Sequence, residues 1–568
     1  MTHPGEQFYP QGVRWDDPIA RGTLPDLLSK AATQYGARPA IEFRDQPISY
    51  AELEAMVEVA ASAFLRAGYG KDHSVALFLG NSPDHPVNFF GALKAGARVV
   101  HLSPLDGERA LSHKLSDSGA RVLVTSNLAA LLPMALKFLD KGLLDRLIVC
   151  EDDHWGAVGN PHTPIPDNPA IVTFRNFVDG AAIPAQWPAI SADDVALLQY
   201  TGGTTGLPKG AMLSHGNLTS AVAIYDVWGS KARAERAAID RVICVLPLFH
   251  IYALTVIQLG SLAHGDLISL HQRFDVTNVM RDIEVKRATA FPGVPTMWIA
   301  IASLPDLEKR DLSSLVSCGS GGAPLPVEVA RIFERKTNMK LKSGWGMTET
   351  CSPGTAHPPQ GPEKPGSIGL MLPGIEMDVV SLNDPTQAMP TGEVGEIRIR
   401  GPNVTKGYWN RPQETAEAFI GDRFLTGDIG YVDSDGYFYL VDRKKDMIIS
   451  GGFNVYPQMI EQAIYEHPAV QEVIAIGIPD DYRGEAAKAF VKLRAGANPF
   501  TLDELKTFLD GKLGKHEIPS ALDFVDKLPR TPVGKLSRHE LRSQQPLQQP
   551  SQQSAPPRQQ QLATGGRP

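Results

Sequence analysis

A chain of 568 residues is too long for one compact core, so two or more domains are expected. Its 43% hydrophobic and 21% charged content is that of an ordinary globular protein, and a formal charge of −8 excludes the basic excess of a nucleic-acid binder. Four cysteines, Cys150, Cys244, Cys318 and Cys351, stand far apart without CxxC spacing, which excludes a disulfide scaffold or a zinc site and predicts reduced thiols in the cytoplasm. The N-terminus places no apolar run behind a basic start, so no signal peptide is read there. The most apolar region, 244–270, is interrupted by Pro247, His250, Gln258 and His264 and reads as buried core, not as a bilayer span; a peripheral membrane contact stays open.

The first part of the chain alternates helix and strand. Ser49-Tyr50-Ala51-Glu52 is a capping box, and Leu53, Val57, Ala60 and Phe64 then fall on one helical face. Gly68 can end that helix before a buried strand at Val75-Ala76-Leu77-Phe78-Leu79. A second unit runs from Phe89 to Ala95 and on to Val99-Val100, and a third from Leu111 and Leu115 to Arg121-Val122-Leu123-Val124. Strands separated by helices of this length predict βαβ units and a parallel sheet, with ligand loops at the strand ends. Residues 156–188 are Pro-rich and loop-like.

The apolar stretch Val195-Ala196-Leu197-Leu198 then leads into Tyr200-Thr201-Gly202-Gly203-Thr204-Thr205-Gly206-Leu207-Pro208-Lys209-Gly210. Glycines let backbone amides approach a phosphate, threonines donate hydrogen bonds and Lys209 adds positive charge, so this loop reads as a polyphosphate cradle. It lacks the Gly-Lys-Ser/Thr of a Walker A loop. Beyond Gly361 the pattern changes to short alternating strands such as Glu396-Ile397-Arg398-Ile399-Arg400. A charged stretch from Asp442 to Lys445 lies between the apolar segments Tyr437–Val441 and Met447–Ile449, as the two ends of a hinge would. A small α/β unit follows, with strands near Val473–Ile476 and Phe490–Leu493 and helices near Ile460 and Leu505. From Gln544 onward the chain is rich in Gln, Pro and Ser, a composition that predicts disorder. The expected division is a large domain over 1–441, a small domain over 442–543 and a tail over 544–568.

Four further segments follow the cradle in order: Gly344-Trp345-Gly346-Met347-Thr348-Glu349-Thr350, Thr426-Gly427-Asp428, Asp442-Arg443-Lys444-Lys445-Asp446 and Pro529-Arg530-Thr531-Pro532-Val533-Gly534-Lys535. With the loop they resemble the signature of the adenylate-forming superfamily, which holds acyl-CoA synthetases, beetle luciferases and the adenylation domains of peptide synthetases. The resemblance covers nearly the whole chain. It implies an α/β fold with a large N-terminal domain of βαβ-type sheets plus a distorted β-barrel, and a small mobile C-terminal α+β domain.

It also implies a reaction. Attack of a carboxylate on the α-phosphate of ATP would give an acyl-adenylate and pyrophosphate, with charge gathering in a transition state that positioning and electrostatics must stabilise. Thr201, Gly202, Gly203, Thr204, Thr205, Gly206 and Lys209 would hold the β and γ phosphates. Glu349 would bind Mg²⁺ and Thr348 would contact the α-phosphate, although a Thr-Glu pair alone reads equally as a helix cap. Gly321-Gly322-Ala323-Pro324 resembles the adenine-side loop, and within Gly344-Trp345-Gly346 the indole could stack on adenine or pack in the core. Asp428 matches the acid that binds the ribose hydroxyls, Arg443 a further nucleotide contact and Lys445 the hinge. Lys535 matches the lysine whose ammonium bridges carboxylate and α-phosphate. In related bacterial synthetases that lysine is acetylated, so a lysine acetyltransferase and deacetylase are implied partners.

Within the superfamily the likeness is nearest to bacterial fatty acyl-CoA synthetases, carried by residues 246–255 (LPLFHIYALT) and 452–457 (GFNVYP). His250 and Ile251 are the acyl-pocket candidates, and the lack of an aspartate there disfavours an amino acid substrate. Gly451, Gly452 and Phe453 would form a backbone passage for CoA, although a Gly-Gly pair at a strand end is often a bulge. The resemblance implies a medium- or long-chain fatty acid transferred to CoA; no arginine in 246–255 marks an ω-carboxylate site, and dicarboxylic or aromatic acids are the alternatives. A phosphoryl-transferring kinase or ATPase and a silent acyl-binding protein are the readings from other classes. A homodimer is compatible with everything above.

Overall fold

The capping box at Ser49 forms in the computed structural model, which describes residues 4–201, 207–234, 239–480, 482–531 and 534–544. The Ser49 side chain accepts from the Glu52 amide while Glu52 accepts from the Ser49 amide, opening the helix Tyr50–Arg66 with Leu53, Val57, Ala60 and Phe64 buried. The strand Ser74–Phe78 lies at the heart of a seven-stranded sheet, parallel to Arg98–His101 on one side and Val122–Ser126 on the other. Alternation decides which face each residue covers. Val75 and Leu77 join one apolar cluster, and Ala76 and Phe78 join another on the opposite face. Both faces are therefore sealed, which is why this strand reads as a continuous apolar run.

The stretch expected to be a plain loop, 156–188, contains a short strand, Ile171–Thr173, parallel to Arg146–Cys150, and a short helix, Phe174–Val178. Phe177 is buried there with its ring 5.2 Å from that of Phe64. The surrounding prolines hide a three-residue β-former from any pattern read over a longer window.

A second sheet of fourteen strands begins with parallel strands and continues into antiparallel ones over 355–443. The antiparallel part corresponds to the distorted barrel, and its hydrogen-bond ladder runs on from the parallel strands instead of closing separately. The ladder reaches Arg443, which pairs with Asp428, so the large sheet extends two residues past the expected boundary. Beyond it a five-stranded sheet forms the small unit. Its long strand Val470–Asp480 sends Val473 and Ala475 to one side and Ile474 and Ile476 to the other. On the second side Leu541 of the helix Arg538–Gln544 packs with Ile474, Ile476, Phe490 and Leu528. That helix takes in the first residue of the expected tail; residues 545–568 lie outside the described residues. No described helix is long and apolar enough to cross a membrane.

Candidate active site

The strands Val195–Thr201 and Lys209–Ser214 pair antiparallel, with Thr201 opposite Lys209, and so present the two ends of the phosphate loop together. Gly202, Gly203, Thr204, Thr205 and Gly206 lie outside the described residues. The ammonium of Lys209 stands 5.3 Å from the centre of the Tyr408 ring, and the Tyr408 hydroxyl donates to Glu349 at 2.9 Å. Tyr408 is held there because its segment docks on the second loop strand: the Met212 amide donates to Gly407 and the Trp409 amide to Gly210.

Glu349 occupies a single 3-10 turn, Thr348–Thr350, with Thr348 half-buried and Glu349 buried. Burial raises the Glu349 pKa, while its own backbone amide and the Tyr408 hydroxyl oppose that rise. Next to it the backbone is tightly folded. Cys351 and Ser352 have φ of 52° and 98°, and a Cβ on Gly346 would lie 1.3 Å from the Ser352 carbonyl oxygen. Two non-glycine residues in the left-handed region store on the order of 1–3 kcal/mol each. Gly344 pairs with Ala356 in the strand leading into this turn.

Asp428 gathers the expected nucleotide contacts of the large sheet. It is buried, and one carboxylate oxygen accepts from the Trp345 indole N–H at 2.7 Å while the other pairs with the Arg443 guanidinium at 3.2 Å. Arg443 lies directly across the ladder from it. The Trp345 ring is buried beneath Gly354, with its N–H committed to Asp428.

The loop Gly321-Gly322-Ala323-Pro324 leaves the strand Ser317–Ser320. Gly321 is backed by the ring of Tyr252, 2.9 Å from where a Cβ would stand. At Gly322, where φ is +76°, a Cβ would lie 2.9 Å from Lys535 Cε and 3.3 Å from its Nζ. The lysine at the far end of the chain thus rests against the loop expected on the adenine side. Its carrier is a turn in which the Thr531 amide donates to the Lys535 carbonyl at 2.7 Å and the Gly534 carbonyl accepts from Thr296 of the large domain at 3.0 Å. Burial, then the charge of Arg443, lowers the Lys535 pKa to about 8, and Asp428 works in the opposite direction.

His250 faces the same place. Burial, then the charge of Lys535, lowers its pKa to about 3, so it is neutral at working pH. Its Nδ1 accepts from the Tyr252 amide at 3.3 Å, which assigns the proton to Nε2. Ile251 is buried, and the chain continues as the π-helical segment Ala253–Leu259.

One expected element lies apart from this cluster. Gly451 and Gly452 adopt φ of 59° and 84° in an exposed hairpin, with open space within 4 Å of either Cβ position, and Phe453 is 60% exposed beside the His516 ring. Lys445 lies in the turn between the strands Tyr437–Arg443 and Ile448–Ser450, at the margin of the cluster, where burial and then the charge of Arg443 lower its pKa while Asp446 and Asp428 oppose. Sequence reasoning missed Tyr408, Thr296 and Tyr252. No spacing marks them, because each reaches the site through a tertiary contact.

Comparison with known proteins agrees with this geometry. Residues 28–409 match the family described as AMP-binding enzyme, and residues 459–535 match the AMP-binding enzyme C-terminal domain. A long-chain-fatty-acid–CoA ligase of Bacillus subtilis (strain 168) is 37% identical, covering 94% of this chain and 96% of its own. A feruloyl-CoA synthase of Amycolatopsis sp. is 38% identical, covering 87% and 93%. The crystal structure of ATP-bound MatB from Rhodopseudomonas palustris superposes with a TM-score of 0.80 at 30% identity, covering 91% of this chain and 98% of that one.

Proposed function

The chain belongs to the AMP-binding enzyme family and is an AMP-forming acid–CoA ligase, and from that premise we propose that its acid is a medium- or long-chain fatty acid. In the first step a carboxylate oxygen attacks the α-phosphorus of ATP, the bond to the β-phosphate breaks and pyrophosphate leaves with the electron pair. In the second the CoA sulfur attacks the acyl carbon, the bond to AMP breaks and the thiol proton goes to solvent.

The observation that carries the adenylating step is the approach of Lys535 to Gly322, under the field of Arg443 and Asp428. A buried ammonium there stabilises charge on the attacking carboxylate and the α-phosphate. In this reading Asp428 binds the ribose, Arg443 supports it and Lys209 serves the outer phosphates. Glu349 fits a hard cation: its carboxylate is held by a neutral phenol and forms no ion pair among the described residues. Bound there, Mg²⁺ would shield the phosphate charge. The small domain turns about Lys445 between the steps, bringing Gly451, Gly452 and Phe453 to CoA.

The fatty acid reading is supported by the relative from Bacillus subtilis and by the apolar character of the helical segment after His250, where Ala253, Leu254, Ile257 and Leu259 are buried. An aryl acid is the second reading, favoured by the similarity to a feruloyl-CoA synthase. A panel of fatty, dicarboxylic and aryl acids, scored by AMP release with and without CoA, separates them. Fatty acids giving the highest kcat/KM support the first reading, and a preference for aryl or dicarboxylic acids overturns it.

A further inference from the structure

Asp442 is the penultimate residue of the last strand of the large sheet, opposite Ile429, and is 1% exposed. One oxygen accepts from the backbone N–H of Gln458 at 2.7 Å, serving the first turn of the helix Pro457–Tyr465, whose N-cap Tyr456 offers no side-chain bond. The other accepts from its neighbour's amide, Arg443 N, and from the Arg538 guanidinium at 2.9 Å. Gln458 and Arg538 both belong to the small domain, and Arg538 opens the helix that follows the Lys535 turn.

The partners of Arg538 divide unequally across the hinge. Its guanidinium also pairs with Glu461 at 2.6 Å and lies 3.6 Å from Asp446, which Arg542 holds at 2.9 Å. Asp446 and Glu461 follow Lys445 in the chain and move with Arg538, whereas Asp442 precedes it. Rotation about Lys445 therefore leaves the arginine with two carboxylates and strips the buried Asp442 of both its small-domain partners. Among the described residues the other side-chain hydrogen bonds across the hinge are neutral: Thr296 to the Gly534 carbonyl at 3.0 Å, Gln458 Nε2 to the Leu440 carbonyl at 3.3 Å and the Val327 amide to Gln462 at 3.4 Å, while the Lys535 ammonium packs against Gly322 with opposed influences from Arg443 and Asp428. Charge-assisted bonds are roughly twice as strong as neutral ones, so the Asp442 pair dominates the set.

We propose that Asp442 and Arg538 form a latch that holds the small domain in the orientation presenting Lys535 to the site, making both positioning residues for the first half-reaction. The proposal rests on the reading that the small domain turns about Lys445 between the steps. The latch acts on the balance between two orientations, so losing it slows adenylate formation while leaving acyl transfer at least as fast.

The test compares Asp442→Asn, Arg538→Gln and the double variant in two separate assays: pyrophosphate release from acid plus ATP, and thioester formation from supplied acyl-adenylate plus CoA. Pyrophosphate release is expected to fall about tenfold in each, with the double variant no slower than the slower single one. Thioester formation is expected to match or exceed the wild type, and trypsin is expected to cut faster at 443–445. Arg538→Lys, which keeps the charge against Glu461 and Asp446, is expected to fall between. Equal losses in both assays would reduce the pair to structural support, and an unchanged pyrophosphate assay would overturn the latch. Lys535→Ala, run in parallel, separates the premises. If it retains adenylate formation, the underlying reading fails; if it loses it while Asp442→Asn does not, only the latch fails.

Discussion

Asp428 and Lys535 meet in one cluster from two very different supports. Asp428 sits within a ladder strand, buried, with an indole and a guanidinium fixing both its oxygens. Lys535 rides on a turn whose described tie to the large domain is the bond from Thr296 to Gly534, together with the approach to Gly322. The first arrangement can be altered only by disturbing a packed sheet. The second can be withdrawn by breaking a few hydrogen bonds. On the proposed reading, a binding surface that serves both half-reactions is built into the sheet, and a charge needed in only one is carried on the part that can leave.

Predictions follow the same division. Lys535→Ala should lower acyl-CoA formation from free acid by on the order of 10³, as loss of a preorganised charge at a reacting phosphate does, measured as AMP release. Asp428→Ala should cost about 10² in kcat/KM for ATP and, unlike the lysine variant, should also slow transfer from supplied acyl-adenylate, because the ribose is bound in both steps. A variant that loses only one half-reaction would erase the contrast. Lys445→Pro should slow thioester formation by about tenfold while adenylate formation changes little, because proline fixes φ where rotation is needed.

The pH dependence gives a gentler probe. Lys535 works as an ammonium, and its pKa is lowered to about 8, so the free enzyme loses the charge as pH rises. Adenylate formation, as kcat/KM, should fall through about pH 8, whereas an ordinary lysine would stay charged to about 10. The smallest effect is expected at the C-terminus. Leu541 already closes the second face of the small sheet, so removing 545–568 should leave both half-reactions and the melting temperature unchanged.

The parts of this design that were readable in the sequence are those whose constraint is local. The capping box at Ser49, the apolar run at Val75 and the Gly-rich segments each state their geometry within a few residues. The division between the supports was also visible, since Asp428 and Lys535 lie in separate segments of recognisable composition. What stayed hidden depends on contacts between distant stretches. Tyr408 reaches Glu349 only because residues 407–409 dock on the strand after the phosphate loop, and Asp442 finds Arg538 across nearly a hundred residues. The strand Ile171–Thr173 was lost for the opposite reason, being too short to register among prolines.

The central claim, that Lys535 is needed for one half-reaction and absent from the other, is tested most directly by giving Lys535→Ala a preformed acyl-adenylate and following thioester formation with CoA in a single turnover. The account predicts a rate within about twofold of the wild type, against the loss of on the order of 10³ from free acid and ATP. Thioester formation that falls as far as adenylate formation would contradict it.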